Sequence, residues 1–204
     1  MAFASAADAG IETTYADHAR AVALAREGRH AEGLALLQAL LARFPADYPL
    51  NRDAILVATW AGDCGYALER YAVVRAQPRI DPYLVPPLAD CAVQRARAGD
   101  YDTALDVLEG LRPHATDPYP LQRDLSLITA WRGDCRGALA QFAPIRDDRR
   151  NPPYLIAPMA DCLVQDGRSG EAEALVTAAL THAPEDDRLR QALLRVQVAD
   201  SLAR

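Results

Sequence analysis

Tyr-Pro-Leu-Asn-Arg-Asp, at residues 48–53, opens a passage that the chain carries twice. The passage spans residues 48–91 and returns 71 positions later at residues 119–162, with half of the aligned positions identical. Its centre, Trp-Ala-Gly-Asp-Cys at residues 60–64, returns as Trp-Arg-Gly-Asp-Cys at residues 131–135. A fixed period of this kind is typical of proteins that stack one structural unit on the next. The repeat therefore predicts a stacked array, a class of protein that binds partners far more often than it catalyses reactions.

A glycine-containing polar turn divides the chain into units with a spacing of about 34 residues. Apolar residues recur with helical periodicity on both sides of each turn, so each unit reads as two helices. The glycines of these turns are Gly28, Gly62, Gly99, Gly133 and Gly167. Five positions after each glycine stands a small residue: Gly33, Ala67, Ala104, Ala138 and Ala172. Small side chains there let the two helices of a hairpin approach closely.

This pattern resembles the tetratricopeptide repeat, a helix–turn–helix unit of 34 residues with glycine and alanine in these places. The resemblance implies an all-α fold, a right-handed α-solenoid of about five units with a C-terminal capping helix. The expected boundaries are 14–47, 48–81, 82–118, 119–152 and 153–186 for the units and 187–204 for the cap.

The two ends of the chain carry separate expectations. Residues 1–13 are alanine-rich and read either as a disordered N-terminus or as the remnant of a secretory signal peptide. In the capping helix, we expect Leu189, Leu193, Leu194 and Val198 to lie on one side and to shield the last unit.

Four cysteines occur as two duplicated pairs. In a tetratricopeptide stack the second helix of one unit packs antiparallel against the first helix of the next. The resemblance therefore places Cys64 near Cys91 and Cys135 near Cys162, which predicts two disulfides and an oxidising compartment. The alternatives are four buried thiols or, less in keeping with the absence of a C-x-x-C motif, a metal site.

The composition argues against several classes of function. The chain has a formal net charge of −6, which disfavours nucleic acid as a partner, and its 22 basic residues are all arginine. Schiff-base and P-loop chemistry, which need lysine, are thereby excluded. The four histidines are scattered, and no catalytic or cofactor motif is present. No segment approaches the roughly 20 apolar residues of a membrane helix. We expect a protein that is not an enzyme, without cofactor, metal or transmembrane segment.

The expected binding site follows from the resemblance, because the first helix of each tetratricopeptide unit lines a concave groove. The residues expected in the groove are Tyr15, His18, Arg52, Trp60, Tyr83, Asp90, Gln94, Arg123, Trp131, Tyr154, Asp161 and Gln165. Simpler interpretations remain for some of them. The two arginines read equally as charges on a helix surface, the two tryptophans as packing residues that close a hairpin, and the two aspartates as neighbours of the cysteines.

Two short segments, Trp-Ala-Gly-Asp at residues 60–63 and Asp-Pro-Tyr-Leu-Val-Pro-Pro-Leu-Ala at residues 81–89, resemble the periplasmic repeats of exopolysaccharide export porins of the poly-N-acetylglucosamine type. This resemblance implies a periplasmic, non-catalytic scaffold that binds a protein or peptide in its groove, in envelope polysaccharide export. The alternatives are a periplasmic module that binds the polysaccharide itself and a cytoplasmic adaptor with free thiols.

Overall fold

The computed structural model describes residues 6–203, with side chains from residue 14 to residue 202. It divides into two compact units, one ending at Gln94 and the other beginning at Arg95. The described residues are organised as helical hairpins, which confirms the all-α, repeat-built class expected from the sequence. Within residues 6–203, no helix is both long enough and apolar enough to cross a membrane.

The first unit contains two complete hairpins and the start of a third. Its helices are α1 (Ala6–Arg26), α2 (His30–Arg43), α3 (Tyr48–Trp60), α4 (Cys64–Val74) and, after a 3-10 turn at Pro82–Leu84, most of α5 (Val85–Arg97). Helix α1 begins inside the segment 1–13 that the sequence sets apart. The first five residues of that segment, and with them part of the expected signal remnant, lie outside the described residues.

The second unit contains two complete hairpins after α6 and ends in a single helix. Its helices are α6 (Tyr101–Leu111), α7 (Tyr119–Trp131), α8 (Cys135–Phe142), α9 (Pro153–Gln165), α10 (Ser169–Leu180) and α11 (Asp187–Ala203). Helix α8 is three residues shorter than α4, its counterpart in the first copy, and continues as a 3-10 turn at Ala143–Ile145. Pro144 stands where α4 has Val73, and proline cannot donate the hydrogen bond that would extend the helix.

The Gly-Asp dipeptide of each central turn ends one helix and starts the next. Gly62 adopts a positive φ of 77°, and the Asp63 amide donates to the Ala58 carbonyl at 2.8 Å, which closes the end of α3. The Asp63 carboxylate then accepts from the Tyr66 amide at 3.0 Å and so caps α4. Asp134 caps α8 in the same way, through the Gly137 amide at 2.8 Å.

The five small residues of the sequence pattern lie on the second helices of the hairpins. All five are buried. At Gly33 the first hairpin leaves no room for a side chain, because a Cβ added there would lie 2.7 Å from the Ala21 carbonyl oxygen of α1. The first hairpin therefore needs glycine where the other four hairpins accept alanine.

The outermost hairpins start their second helix with an arginine–glutamate pair in place of the aspartate cap. Arg29 donates two hydrogen bonds to the Glu32 carboxylate, at 2.7 and 2.6 Å, and Arg168 donates two to the Glu171 carboxylate, at 2.7 and 2.9 Å. Glu171 also accepts from Arg146 at 3.0 Å. The hydrogen bonds from Arg168 and then Arg146 lower the pKa of Glu171 from its usual 4.5 to about 2.

This lowered pKa predicts an acid-dependent loss of stability. A carboxylate whose pKa is lower in the folded state stabilises the fold above the unfolded value, and that contribution disappears as the pH falls from 4.5 through 2. We expect Glu171→Gln to lower the melting temperature at pH 6 and to leave it unchanged near pH 2. Glu173→Gln is the matched control, since Glu173 lies on the same helix and, among the described residues, accepts a hydrogen bond only from the neutral Gln197. Equal effects of Glu171→Gln at both pH values, measured by thermal denaturation, would contradict this assignment.

Helix α11 covers the last hairpin with a different face from the one expected. Leu189, Ala192 and Val196 are buried, whereas Leu194 and Val198 are 62% and 58% exposed. The expectation was therefore wrong for Leu194 and Val198. Each residue turns a helix by about 100°, so positions 189, 192 and 196 share one face, and positions 194 and 198 lie outside it.

Candidate functional site

A polar network joins the first helices of three successive hairpins in the first unit. His18 of α1 lies 2.7 Å, from Nε2 to Oδ2, from the carboxylate of Asp53 on α3. Arg52, the preceding residue of α3, donates from Nε to the other oxygen of Asp53 at 2.7 Å. Its pKa is raised, chiefly by this hydrogen bond. The two side chains thus hold Asp53 between α1 and α3.

The network continues to the start of the third hairpin through Asp81. Nη1 of Arg52 lies 3.8 Å from Oδ2 of Asp81, and the Tyr83 hydroxyl donates to the same oxygen at 3.0 Å. The Asp81 amide donates to the Tyr48 hydroxyl at 2.8 Å, which fixes the backbone that carries the carboxylate. We call His18, Arg52, Asp53, Asp81 and Tyr83 the first-helix cluster.

The first-helix cluster exposes the ring of Tyr83 while the Tyr83 hydroxyl is held by a hydrogen bond. Tyr83 is 50% exposed although its hydroxyl is engaged, and burial of the hydroxyl followed by the bond to Asp81 raises its pKa to about 12. Tyr83 therefore stays protonated at any physiological pH and remains a hydrogen-bond donor. The surface offers one guanidinium, two carboxylates and a half-exposed ring, which suits recognition of another molecule by contact.

The second unit carries a shorter version of this arrangement. Arg123 of α7 donates two hydrogen bonds to the Asp124 carboxylate, from Nε at 2.7 Å and from Nη2 at 3.0 Å. Tyr154 at the start of α9 is 40% exposed, like its counterpart Tyr83. The acid between them is missing, because residue 152, which corresponds to Asp81, is proline. We call Arg123, Asp124 and Tyr154 the second cluster.

The other residues expected in the groove lie outside these two clusters. Asp161 is held by Arg195 of the capping helix at 3.1 and 3.0 Å, so α11 already engages it. Trp60 is half exposed beside the hairpin turn, with its ring centroid 6.0 Å from that of His30 on α2. The remaining five are exposed and belong to neither cluster: Tyr15, Asp90, Gln94, Trp131 and Gln165.

Sequence reasoning had not included Asp53 and Asp81 among the site residues, although they connect the network. A signal for Asp53 was available, since the Arg-Asp pair returns in the second copy as residues 123 and 124. The duplication gave no such signal for Asp81, because the corresponding residue of the second copy is proline. Within the part of the chain that the structure describes, no group of three or more histidine, cysteine or acidic side chains is arranged to hold a metal ion.

The cysteines form the two expected pairs. The sulfur atoms of Cys64 and Cys91 are 2.03 Å apart, and those of Cys135 and Cys162 are 2.06 Å apart, both at disulfide distance. Each pair joins the first turn of a second helix, α4 or α8, to the later part of the next first helix, α5 or α9. Each pair therefore links two successive hairpins, and both cysteines of a pair belong to the same unit.

Comparisons with known proteins identify the fold. No protein-family model matches the chain, and no curated protein matches it. Among solved structures it is similar to YrrB, a tetratricopeptide protein with an unusual peptide-binding site, with 14% identity and a TM-score of 0.66 over 84% of this chain and 87% of that one. It is also similar to a tetratricopeptide repeat protein of Parabacteroides merdae, with 14% identity and a TM-score of 0.63 over 93% and 74% of the two chains.

A third similar structure is PilF of Pseudomonas aeruginosa, with 15% identity and a TM-score of 0.55 over 93% of this chain and 85% of that one. At identities this low, such likenesses establish architecture alone. The hairpin order, the turn chemistry and these neighbours together show that the chain has a tetratricopeptide-like fold.

Proposed function

We propose that this chain is a non-catalytic scaffold that binds a protein or peptide segment along the first helices of its hairpins. The observation that carries the proposal is the first-helix cluster, which joins α1, α3 and the start of the third hairpin and leaves Tyr83 half exposed. Tyrosine and arginine, which this cluster presents, are enriched among the residues that contribute most of the binding energy at protein interfaces.

The hydrogen bonds that hold Arg52 and Tyr83 in place reduce the entropy that these side chains lose on binding. Ordering a mobile side chain on binding costs about 0.5–1.5 kcal/mol. In the first-helix cluster, Arg52 is held by Asp53, and Tyr83 is held by Asp81, before any partner arrives. Much of that cost is therefore already met in the unbound protein. The peptide-binding site of the similar protein YrrB indicates that this architecture accommodates a peptide.

The proposal places the scaffold in an oxidising compartment, the bacterial periplasm. Two cysteine pairs at disulfide distance support this, because disulfides persist mainly outside the reducing cytoplasm. The role in exopolysaccharide export is the finest part of the proposal and rests on the short segments 60–63 and 81–89. Unchanged polysaccharide secretion after deletion of the gene would contradict that role and leave the scaffold function standing.

Photo-cross-linking in the native host tests the binding function. We expect a photoreactive phenylalanine analogue at position 83 to form an adduct with a separate protein. The same analogue at position 73 is the matched control, since Val73 is 41% exposed on α4, a second helix. Adducts of equal yield at both positions, or adducts only with another copy of the chain, would overturn the proposal. Circular dichroism of both variants checks that they are folded.

A further inference from the structure

The two copies of the repeated passage differ at a position that matters for binding. In the first copy the Asp81 carboxylate lies between two donors, 3.0 Å from the Tyr83 hydroxyl and 3.8 Å from Nη1 of Arg52. It therefore shows where, in this arrangement of arginine and tyrosine, a carboxylate is bound. In the first copy, this carboxylate is supplied by the chain itself.

The second copy retains the arginine and the tyrosine and lacks the acid. Residues 81 and 152 share an extended backbone, with φ/ψ of −58°/123° at Asp81 and −80°/156° at Pro152, and each is followed by proline. The change therefore removes a carboxylate and leaves the local course of the chain similar. Because Pro152 has no amide hydrogen, the Tyr119 hydroxyl donates to Asn151 at 3.2 Å, whereas its counterpart Tyr48 accepts from the Asp81 amide.

The donors that face Asp81 in the first copy have no acceptor in the second. Nε and Nη2 of Arg123 both donate hydrogen bonds to Asp124. Within residues 6–203, neither Nη1 of Arg123 nor the Tyr154 hydroxyl makes a hydrogen bond. The helices that carry these two residues, α7 and α9, contact each other in the second unit. In keeping with this, the pKa of Arg123 is raised chiefly by the hydrogen bond to Asp124, with a smaller contribution from Tyr154. The side chains remain accessible, with Arg123 27% and Tyr154 40% exposed.

Two further features favour a negative charge at this place. Helix α9 starts at Pro153 without a side-chain cap, so the positive end of its dipole is not neutralised there. The neighbouring acids are already engaged: Asp124 by Arg123, and Asp117 and Asp148 by Arg150 at 2.6 and 2.8 Å. Among the residues whose side chains are described, no acid therefore accepts from the unused donors of the second cluster.

We infer that Arg123, Tyr154 and the start of α9 form a receptor site for an acidic side chain, an aspartate or glutamate of the bound segment, in the position that Asp81 occupies in the first copy. This inference rests on the proposed binding function and assigns the chemistry of one of its contacts. The partner segment recognised by the second unit is accordingly acidic at this point, even though the chain itself has a net negative charge.

The test uses a probe copied from the chain, the capped dipeptide acetyl-Ile-Asp-amide, after Ile80 and Asp81. We expect saturable shifts of amide signals around α9 in ¹H–¹⁵N spectra of the full chain, and none with acetyl-Ile-Asn-amide. A hydrogen bond to a charged group contributes about 1.5–3 kcal/mol, so Arg123→Ala and Tyr154→Phe should each weaken binding about tenfold or more. Arg149→Ala, which removes an exposed arginine of the same loop region, is the matched control and should change nothing.

The duplication allows the site to be closed in one copy and opened in the other. Pro152→Asp should supply the missing acid and abolish binding of the probe in the second unit. Asp81→Ala should create a second site at Arg52 and Tyr83, visible as new shifts around α3. Equal binding of the aspartate and asparagine probes, or binding that survives both Arg123→Ala and Tyr154→Phe, would overturn the inference.

Two further outcomes separate this site from other possibilities. Binding of acetyl-Ile-Gly through its terminal carboxylate, with no binding of the aspartate probe, would overturn the assignment to an acidic side chain. A partner cross-linked at position 83 whose affinity is unchanged by Arg123→Ala would also overturn it, while the scaffold function would stand. Probe binding as expected, with no partner cross-linked at position 83, would support the site and count against the proposed function.

Discussion

Removing either cysteine pair is expected to lower the free energy of unfolding by about 3 kcal/mol, a value that follows from the entropy of the loop each pair closes. The cysteines of each pair are 27 positions apart in the sequence, and their Cα atoms lie 5.1 and 4.9 Å apart in the fold. Cross-links of this length restrict the unfolded chain more than the folded one. Both losses together would remove a large part of the roughly 5–15 kcal/mol that stabilises a typical domain.

The experiment compares the double variants Cys64→Ala/Cys91→Ala and Cys135→Ala/Cys162→Ala with the oxidised protein in urea. The transition midpoint should fall, and the slope of the free energy against urea should rise, because an uncross-linked chain exposes more surface on unfolding. Reductant should shift the wild type towards the variants and leave a variant without any cysteine unchanged. Alkylation of protein from its own host, without reductant, should label none of the four cysteines; four labelled thiols would contradict the disulfides and the oxidising compartment.

Val196→Asp in the capping helix is expected to destabilise the protein by about 3 kcal/mol or more. Val196 is 1% exposed on the face of α11 that covers the last hairpin, so the substitution places a carboxylate without a partner in an apolar contact. The second unit depends on this contact because α11 shields residues of α9 and α10 that would otherwise meet water. A terminal helix with one apolar face and one polar face is a general requirement of repeat arrays.

The matched control for this prediction is Val198→Asp, the same change two residues later on the same helix. Val198 is 58% exposed, and surface substitutions usually change stability by less than about 0.5 kcal/mol. Thermal and urea denaturation of both variants give the comparison. Similar losses in the two variants would show that α11 packs through a face different from the one described here.

The fold could be predicted from the sequence because the same glycine-containing turn recurs in it at a regular spacing. A single Gly-Asp turn is weak evidence for a hairpin, whereas the same turn at Gly62, Gly99 and Gly133 defines a register. Combined with the helix packing that the tetratricopeptide resemblance implies, that register also predicted which cysteines would meet, since it placed the start of α4 beside the later part of α5. The face of α11 was missed because leucine and valine occur around much of that helix, so its composition does not mark the packed side.

The repeat could indicate only some residues of the candidate site, because a polar network depends on side-chain geometry that a repeat does not determine. The register placed His18, Arg52 and Tyr83 on first helices, and the structure brings them together. Their connection runs through Asp53 and Asp81, whose roles depend on separations of 2.7 and 3.0 Å. Asp161 was expected in the groove for the same positional reason. Its engagement by Arg195 depends on how α11 packs, which the repeat pattern does not describe.

The placement of the two cysteine pairs has a consequence for the order in which the molecule opens. Repeat arrays fray from their ends, one hairpin at a time, as far as neighbouring contacts allow. Here the second hairpin is joined covalently to the third, and the fourth to the fifth, whereas the first hairpin contacts the second only non-covalently, for example through the His18–Asp53 hydrogen bond. The first hairpin can therefore open as a single step at the N-terminal end. The two hairpins of a covalently joined pair stay within reach of each other after local opening and can close again quickly.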